Sequence, residues 1–438
     1  MTVKVVKFGG SSLANAQQFN KVLNIVKMDN TRRFVIPSAF GKRNPDDTKI
    51  TDLLYLCHSH VENSVSLDEV FNIIEERCRG IISELSLDLD MTNILKEIKE
   101  TIISTKSKDY AASRGEYISG IILAKLLGFE FIDSAEVIRF DKMGKLNYET
   151  TIQLLEKRLS KCENAVIPGF YGATASGRIV TFSRGGSDVT GALVAKAIKS
   201  SVYENFTDVS GLLTTNPCIV KDPKNIKRVT YRELRELAYM GATVIHEDAI
   251  RPVCEASIPL NIRNTNDPSH PGTMIVGDLS VDSTPGKITG IAGKKDFTVI
   301  AIEQSYMNSH VGYAQKILAI LSDFDVSFEC MPSGIDNISL VIESSFLEGK
   351  LYEIIEQIKL KCSPDSVEVY PNMALIATVG QGMIYTPGMS SKLFNALYDA
   401  GINIRMINQG SSEINIMVGV ENDDFDNAIR AIYNAFVE

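Results

Sequence analysis

The chain has no Cys-x-x-Cys pair, no GxxxxGK[ST] run, no cluster of basic residues and no uninterrupted apolar stretch near the length of a membrane span. Each absence removes a class of protein. The seven cysteines, at 57, 78, 162, 218, 254, 330 and 362, are odd in number and scattered, which argues against a disulfide framework or a zinc site and for reduced thiols in a cytoplasm. Cys57, His58 and His60 lie close together, but within a helical pattern after Thr51, so no metal-binding cluster is expected. A net charge of −9 without a basic patch gives neither a nucleic acid nor an anionic membrane surface a reason to bind. Val3 already reads as strand, so no signal peptide is expected, and no membrane span either. What remains is 438 residues with 44% apolar content, enough for more than one domain and a substantial core.

Against that background the segment Phe182 to Gly191, FSRGGSDVTG, concentrates anion-handling chemistry just before an apolar helix. Gly185 and Gly186 allow a tight turn with outward amides, and the following helix presents its positive end. Arg184 can make a two-pronged contact with a carboxylate, and Asp188 can hold a cation or cap the helix. The same letters also describe an ordinary turn with an N-cap. A second turn of this kind opens the chain. There the apolar run of Val3, Val5, Val6 and Phe8 leads into Gly9, Gly10, Ser11 and Ser12, with Lys7 at its mouth. Backbone amides after a buried strand can cradle phosphate oxygens while a lysine neutralises them, although a lysine at a strand end can also be merely solvated. With the lysine ahead of the glycines, the turn is not a P-loop.

The ordered set KFGGSSLA, SRGEYIS (113–119), PGFYG (168–172), SRGGSDVTGALVA (183–195) and TDVSGLLTTNP (207–217) resembles the aspartokinase branch of the amino acid kinase family. The resemblance covers nearly the whole chain. It implies an αβα sandwich over residues 1–280 and transfer of the ATP γ-phosphoryl group to the side-chain carboxylate of L-aspartate, with Mg2+. It implies Lys7 at the transferring phosphoryl, lined by the amides of Gly9, Gly10 and Ser11 with Gly186 alongside. Arg184 takes the substrate's α-carboxylate and Glu116 its ammonium. Thr51, Phe170 and Ser187 complete the substrate pocket, and Thr207 and Asp208 face the nucleotide. Because a side-chain carboxylate is already ionised at neutral pH, no general base is needed, and Asp188 is assigned to organising Lys7 or Mg2+. Without the resemblance, Glu116 reads as a routine acidic residue in the first turn of a helix.

The nucleotide side departs from the family pattern. Leu213 replaces a common tyrosine, Asn216, Pro217 and Cys218 replace an Asp-Pro-Arg triplet, and Thr243 replaces a lysine. Lys221, Lys224 or Arg228 are candidate substitutes. These departures keep open a catalytically weakened amino-acid sensor, or a kinase for another amino acid carboxylate.

Short Val/Ile-rich runs such as Phe34–Pro37, Phe129–Asp133, Ala165–Pro168 and Ile179–Phe182 alternate with helical patterns, an α/β layout. Residues from about 62 to 109 read as a helical insert without a chemical motif. Beyond a polar linker, Gly277 to Gly286, the chain repeats itself. A shift of 76 residues aligns Ala301 with Ala377, Gly312 with Gly388, Lys316 with Lys392, Leu321 with Leu397, Gly334 with Gly410 and Ile338 with Ile414 without a gap. The pattern resembles tandem ACT domains, ferredoxin-like α+β units that bind amino acids, over 287–438; a dimerisation module is the plainer alternative. The first unit spans about 297–372. The second, 373–438, lacks a fourth strand, which Lys287 to Ala292 is expected to supply, nesting one unit inside the other. The resemblance implies feedback by lysine or threonine, with Gly312, Glu329 and Ser333 as effector candidates in the first unit and Asn403, Gln409, Ser411 and Glu413 in the second, and a homodimer or homotetramer. The chain stops after the second repeat, so no fused second enzyme is expected.

Overall fold

The computed structural model describes residues 2–183, 185–242, 245, 247–277 and 286–437. Two residues singled out above, Arg184 and Thr243, fall outside it, as does most of the linker. The described chain packs as two compact units, and the division is not a single cut in the sequence. The first comprises residues up to 212, 225–232 and 244–281; residues 213–224 and 233–243 belong with 282 onward in the second.

The first unit is built on β1 (Lys4–Phe8), β2 (Arg32–Pro37), β3 (Glu130–Phe131), β4 (Arg139–Phe140), β5 (Ala165–Val166), β6 (Tyr171–Thr174), β7 (Ile179–Thr181), β8 (Val202–Thr207), β9 (Arg228–Thr230), β10 (Leu260–Asn264) and β11 (Thr273–Val276). Eight of these form one sheet in the order β3-β5-β2-β1-β8-β10-β11-β9, parallel from β3 to β10; β4, β6 and β7 make a small separate sheet. The helices are α1 (Ala16–Lys27), α2 (Ile50–Glu62), α3 (Asp68–Glu84), α4 (Thr92–Thr105), α5 (Lys108–Leu127), α6 (Ser134–Val137), α7 (Tyr148–Leu159) and α8 (Gly186–Ala197), followed by the helices Tyr231–Tyr239 and Glu247–Glu255.

Alternation along β1 decides what each face does. Val6 and Phe8 are fully buried in the core formed with α1, α2, α3, α4 and α5, which contains Val22, Leu54, Ile74, Ile98 and Ile118. Lys7 points to the opposite face, where α8 lies. The insert is therefore part of the main core, not an appendage. It holds its place through apolar positions at helical spacing, such as Val70, Phe71, Ile74, Cys78 and Ile81 on α3. The cysteine and histidines near α2 have separate partners. His58 Nε2 meets the Lys106 carbonyl at 3.1 Å and His60 Nδ1 the Ser66 carbonyl at 2.8 Å, while Cys57 is buried.

The second unit carries one five-stranded sheet, β13-β12-β14-β16-β15, from β12 (Gly290–Glu303), β13 (Asn337–Glu343), β14 (Ser366–Val379), β15 (Met406–Asn408) and β16 (Asn415–Glu421). Strands β12 and β14 each serve both repeats. Val299 to Glu303 pairs antiparallel with Ser366 to Tyr370, and Gly290 to Lys294 with Leu375 to Val379, with register shifts between Lys294 and Val299. Ile291 thus opposes Thr378 of the second repeat and lies in that repeat's core with Ile376, Leu393, Ile416 and Val418. The first repeat's core holds Ile300, Ile317, Leu340 and Ile342, which are the same positions 76 residues earlier. After the helix of the second repeat only Met406–Asn408 forms a strand before β16. It lies at the sheet edge and pairs on one side alone, so its start has little to hold it extended.

Candidate active site

Lys7, the penultimate residue of the central strand, has its side chain 11% exposed, and its ammonium lies 2.6 Å from Asp188 Oδ1. Asn205 on the neighbouring β8 completes the arrangement. Its Oδ1 accepts from Lys7 at 3.3 Å, and its Nδ2 donates to Asp188 Oδ1 at 2.9 Å. Asn205 pairs in register with Lys7 across the parallel ladder, so the contact follows from strand pairing, which no local motif announces. Asp188 sits in the first turn of α8, where an acidic side chain is favoured by the helix dipole. The turn before it is tightly packed. Gly185 has φ 57°, a Cβ on Gly186 would lie 2.8 Å from Phe170 Cα, and one on Gly169 would lie 2.5 Å from the Ser187 side chain. Phe170 itself has φ 78°, an uncommon conformation for a bulky residue and a mark of a backbone held by its surroundings.

The glycine turn after β1 is a short 3-10 helix, Gly10–Leu13. One expectation changes here. The Gly9 amide does not face outward but donates to the Phe206 carbonyl at 3.1 Å, which ties the turn to β8. Gly10 and Ser11, the first amides of the helical turn, have no acceptor within it. Gly10 is fixed from behind, since its carbonyl accepts from Gly41 N at 2.8 Å, and a Cβ on Gly41 would lie 2.5 Å from that carbonyl carbon. Gly41→Ala is therefore expected to cost about 1–3 kcal/mol of stability and to displace the turn. Denaturant titration together with kcat checks this, and wild-type values for both would refute it.

Glu116 belongs to the same neighbourhood through the loop after β2. It does not occupy a first helical turn as expected. It sits in the middle of α5, because Ser107 caps the helix by accepting from Tyr110 N and so starts it well before the SRGEYIS motif. The Glu116 residue is 5% exposed and its Oε2 has no hydrogen-bond partner. Burial pushes its carboxyl up to about 8, opposed by a hydrogen bond with the Ala39 backbone and by the charge of Arg114. Arg114 lies over the rings of Tyr110, Tyr117 and Tyr171, its guanidinium carbon 4.5, 4.4 and 5.1 Å from their centres. Thr51, half-buried near the start of α2, neighbours Ile50; a Cβ on Gly115 would lie 3.5 Å from Ile50 and Leu54. On the other side of β1, Thr207 Oγ1 donates to the exposed Asp208 carboxylate at 3.1 Å.

The structure thus brings Lys7, Asp188, Gly186, Ser187 and Phe170 into one constellation and joins it to Glu116 through Gly10, Gly41 and Ala39. All lie at the C-terminal edge of the parallel strands, where open α/β sheets place their ligands. Sequence reading missed Asn205, Ala39 and Gly41, since nothing in a single strand or loop reveals its partner in the next one.

In the second unit, Gly312 (φ 81°) caps the helix Tyr313–Asp323. The loop preceding it meets the turn beyond Ser333, with Asn308 N donating to the Ile335 carbonyl. Glu329 N donates to Val341, and the Glu329 side chain hydrogen-bonds Tyr239. The second repeat has a matching loop, where Tyr385 N donates to Glu413 Oε2 at 2.9 Å. Asn403, Gln409 and Ser411 are exposed. Lys224, a candidate nucleotide cation, is engaged here: its amide donates to Tyr433 Oη and its ammonium to the Val437 carbonyl.

The amino acid kinase family model matches residues 2–264 and an ACT domain model matches 376–436. Aspartokinase 3 of Bacillus subtilis is 36% identical over 450 residues, covering 99% of this chain and 98% of that protein. The crystal structure of Clostridium acetobutylicum aspartate kinase superposes with a TM-score of 0.95 at 55% identity, covering 99% of this chain and all of that one. E. coli aspartokinase III, in complex with aspartate and ADP, shares the fold at a TM-score of 0.74 and 24% identity, with full coverage of both chains. Among the described residues no helix is long and apolar enough to cross a membrane. The chain belongs to the aspartokinases of the amino acid kinase family, with a C-terminal ACT region.

Proposed function

We propose that the first unit phosphorylates the side-chain carboxylate of L-aspartate with ATP, giving 4-phospho-L-aspartate, and that the second unit senses an amino acid end product. The observation that carries the substrate assignment is Glu116, a buried carboxylate with an unpartnered oxygen. Such a group calls for a cation brought in from outside, and the ammonium of an amino acid supplies it. Arg184, by its place in the motif, takes the substrate's α-carboxylate.

Two anions must approach each other, so the work of the site is electrostatic. Lys7 is held by Asp188 and Asn205 before any ligand arrives, and so needs no reorganisation to meet the transferring phosphoryl. The Gly10 and Ser11 amides add their dipoles, while Thr207 and Asp208 face the rest of the nucleotide. Mg2+ would arrive with the nucleotide, and the Asp188 carboxylate, whose Oδ1 meets Lys7 and Asn205, would offer it a protein ligand. That ion supplies charge neutralisation on the phosphates.

The effector reading places a feedback amino acid, lysine or threonine, at the loops of Gly312, Glu329 and Ser333 and of Asn403, Gln409, Ser411 and Glu413, in a cytoplasmic homodimer or homotetramer. ADP release is expected with ATP and aspartate and not with glutamate; none with aspartate refutes the catalytic reading. The same assay is expected to show inhibition on titration with lysine or threonine, and effector binding that leaves the rate unchanged refutes the regulatory one.

A further inference from the structure

The helical insert carries a residue with no place in any motif. Arg77 on α3 is 5% exposed, and its guanidinium is turned toward backbone carbonyls. Nη2 donates to the Ala14 carbonyl at 3.1 Å and to the Gly41 carbonyl, while Nη1 donates to the Thr48 carbonyl at 3.1 Å. These acceptors lie on two chain segments. Ala14 follows the glycine turn after Lys7, whereas Gly41 and Thr48 both lie in the loop between β2 and α2. Asp47 Oδ2 lies 3.4 Å from Nη1 and is itself gripped by Arg43, and the guanidinium lies 5.9 Å over the Phe40 ring.

The two loops that share Nη2 carry the two ends of the site. The glycine turn runs directly from Lys7, and its Gly10 carbonyl accepts from Gly41. The other loop contains Ala39, whose backbone holds Glu116, and Ala39 is pressed by α5: a Cβ on Gly115 would lie 2.8 Å from its own Cβ. Ser38, next in that loop, accepts from Ser119 of α5 at 2.6 Å. A buried cation that fixes both loops by their carbonyls sets the distance between the phosphoryl end and the ammonium end.

We propose that Arg77 is a positioning residue for phosphoryl transfer, acting through the backbone of the glycine turn and of the 38–41 loop to fix the spacing of Lys7 and Glu116. The planar fork matters as much as the charge. One nitrogen reaches two carbonyls on different segments while its neighbour reaches a third, a pattern that a lysine ammonium on a flexible stem does not reproduce. Misplacement of reacting groups by about 1 Å typically costs on the order of a hundredfold in rate. The proposal rests on the assignment of Lys7 and Glu116 to the two ends of the site.

The test compares Arg77→Ala and Arg77→Lys with Ile74→Ala, which removes core packing from the same helix at a fully buried position but removes no hydrogen bond to either loop. Circular dichroism fixes a temperature at which each variant is folded, and kcat and both KM values are measured there. Arg77→Ala is expected to lower kcat by tenfold to a hundredfold, on the order expected of misplacement, and to raise the aspartate KM, while Ile74→Ala stays near wild type. Arg77→Lys is expected to recover little, and added guanidinium to restore part of the Arg77→Ala rate. Kinetics of Arg77→Ala within twofold of Ile74→Ala overturn the proposal. If the alanine variant does not fold, Arg77→Lys is judged by the same criterion. Failure of the underlying site assignment shows separately, as unchanged kinetics in Lys7 and Glu116 variants.

Discussion

Replacing Lys7 with methionine is expected to lower kcat by a hundredfold or more, the order seen when a preorganised charge stabiliser is removed, with a much smaller change in the aspartate KM. The side chain is already fixed at 2.6 Å from Asp188 and 3.3 Å from Asn205 in a site where it is 11% exposed. Charge held in place at low exposure stabilises a developing charge far more than a mobile surface lysine. Methionine keeps the stem and so the packing of β1. Asp188 remains 16% exposed and hydrogen-bonded by Asn205, so the variant is expected to fold. Asp188→Asn is expected to show a smaller loss, because it loosens Lys7 without removing it. Steady-state kinetics decide the matter: a kcat within threefold of wild type removes Lys7 from the role.

The second large effect concerns Glu116 and pH. Glu116→Gln is expected to raise the aspartate KM by on the order of a hundredfold above pH 8, as for one partner lost from a buried charge pair. In the wild type the free enzyme holds the proton below about 8, whereas the substrate ammonium needs the carboxylate. Aspartate binding therefore releases a proton. The wild-type KM is expected to fall about tenfold per pH unit up to about 8 and then level, by linkage, whereas the glutamine variant is expected to lack this limb. Arg114 on the same helix opposes the shift, and Tyr55 on α2 feels the Glu116 charge in turn; both remain in the variant.

Stability provides an independent check. A carboxyl whose folded value is raised contributes stability fully below its unfolded value near 4.5 and loses it as pH rises through about 8. Without aspartate, the wild type is thus expected to lose stability relative to Glu116→Gln steadily from about pH 4.5 to about 8 and to level off near pH 9, where it buries an unpaired charge, the two being alike near pH 4. A KM independent of pH in the wild type, or a variant with unchanged KM at pH 8.5, refutes the assignment.

Much of this molecule follows from its sequence because local chemistry is enough. A buried apolar run ending in Lys7 and two glycines forces a strand and a tight turn, and glycines ahead of Asp188 force another. A 76-residue repeat with matching apolar positions sets two similar cores, and the missing fourth strand pointed to Lys287–Ala292, of which Gly290–Ala292 pairs with the second repeat. These are properties of a few consecutive residues or of a count along the chain.

What the sequence left open are relations across the sheet and between loops. Asn205 meets Lys7 because β8 lies beside β1 in that register. The Gly9 amide is taken by Phe206 for the same reason. Arg77 looks like any helix arginine until folding places three carbonyls around it. The segments 213–224 and 233–243, which lie within the kinase span of the chain, pack in the second unit, where Ile291 N donates to Thr214, and Glu233 accepts from Thr289 and from Gln381 N. Composition and periodicity report which face of an element is buried, while the identity of the neighbour is decided only when long-range pairing closes and buried polar groups must find partners. The sequence by itself therefore determined the family, the elements and most of the charged groups; the tertiary structure decided how those groups are held.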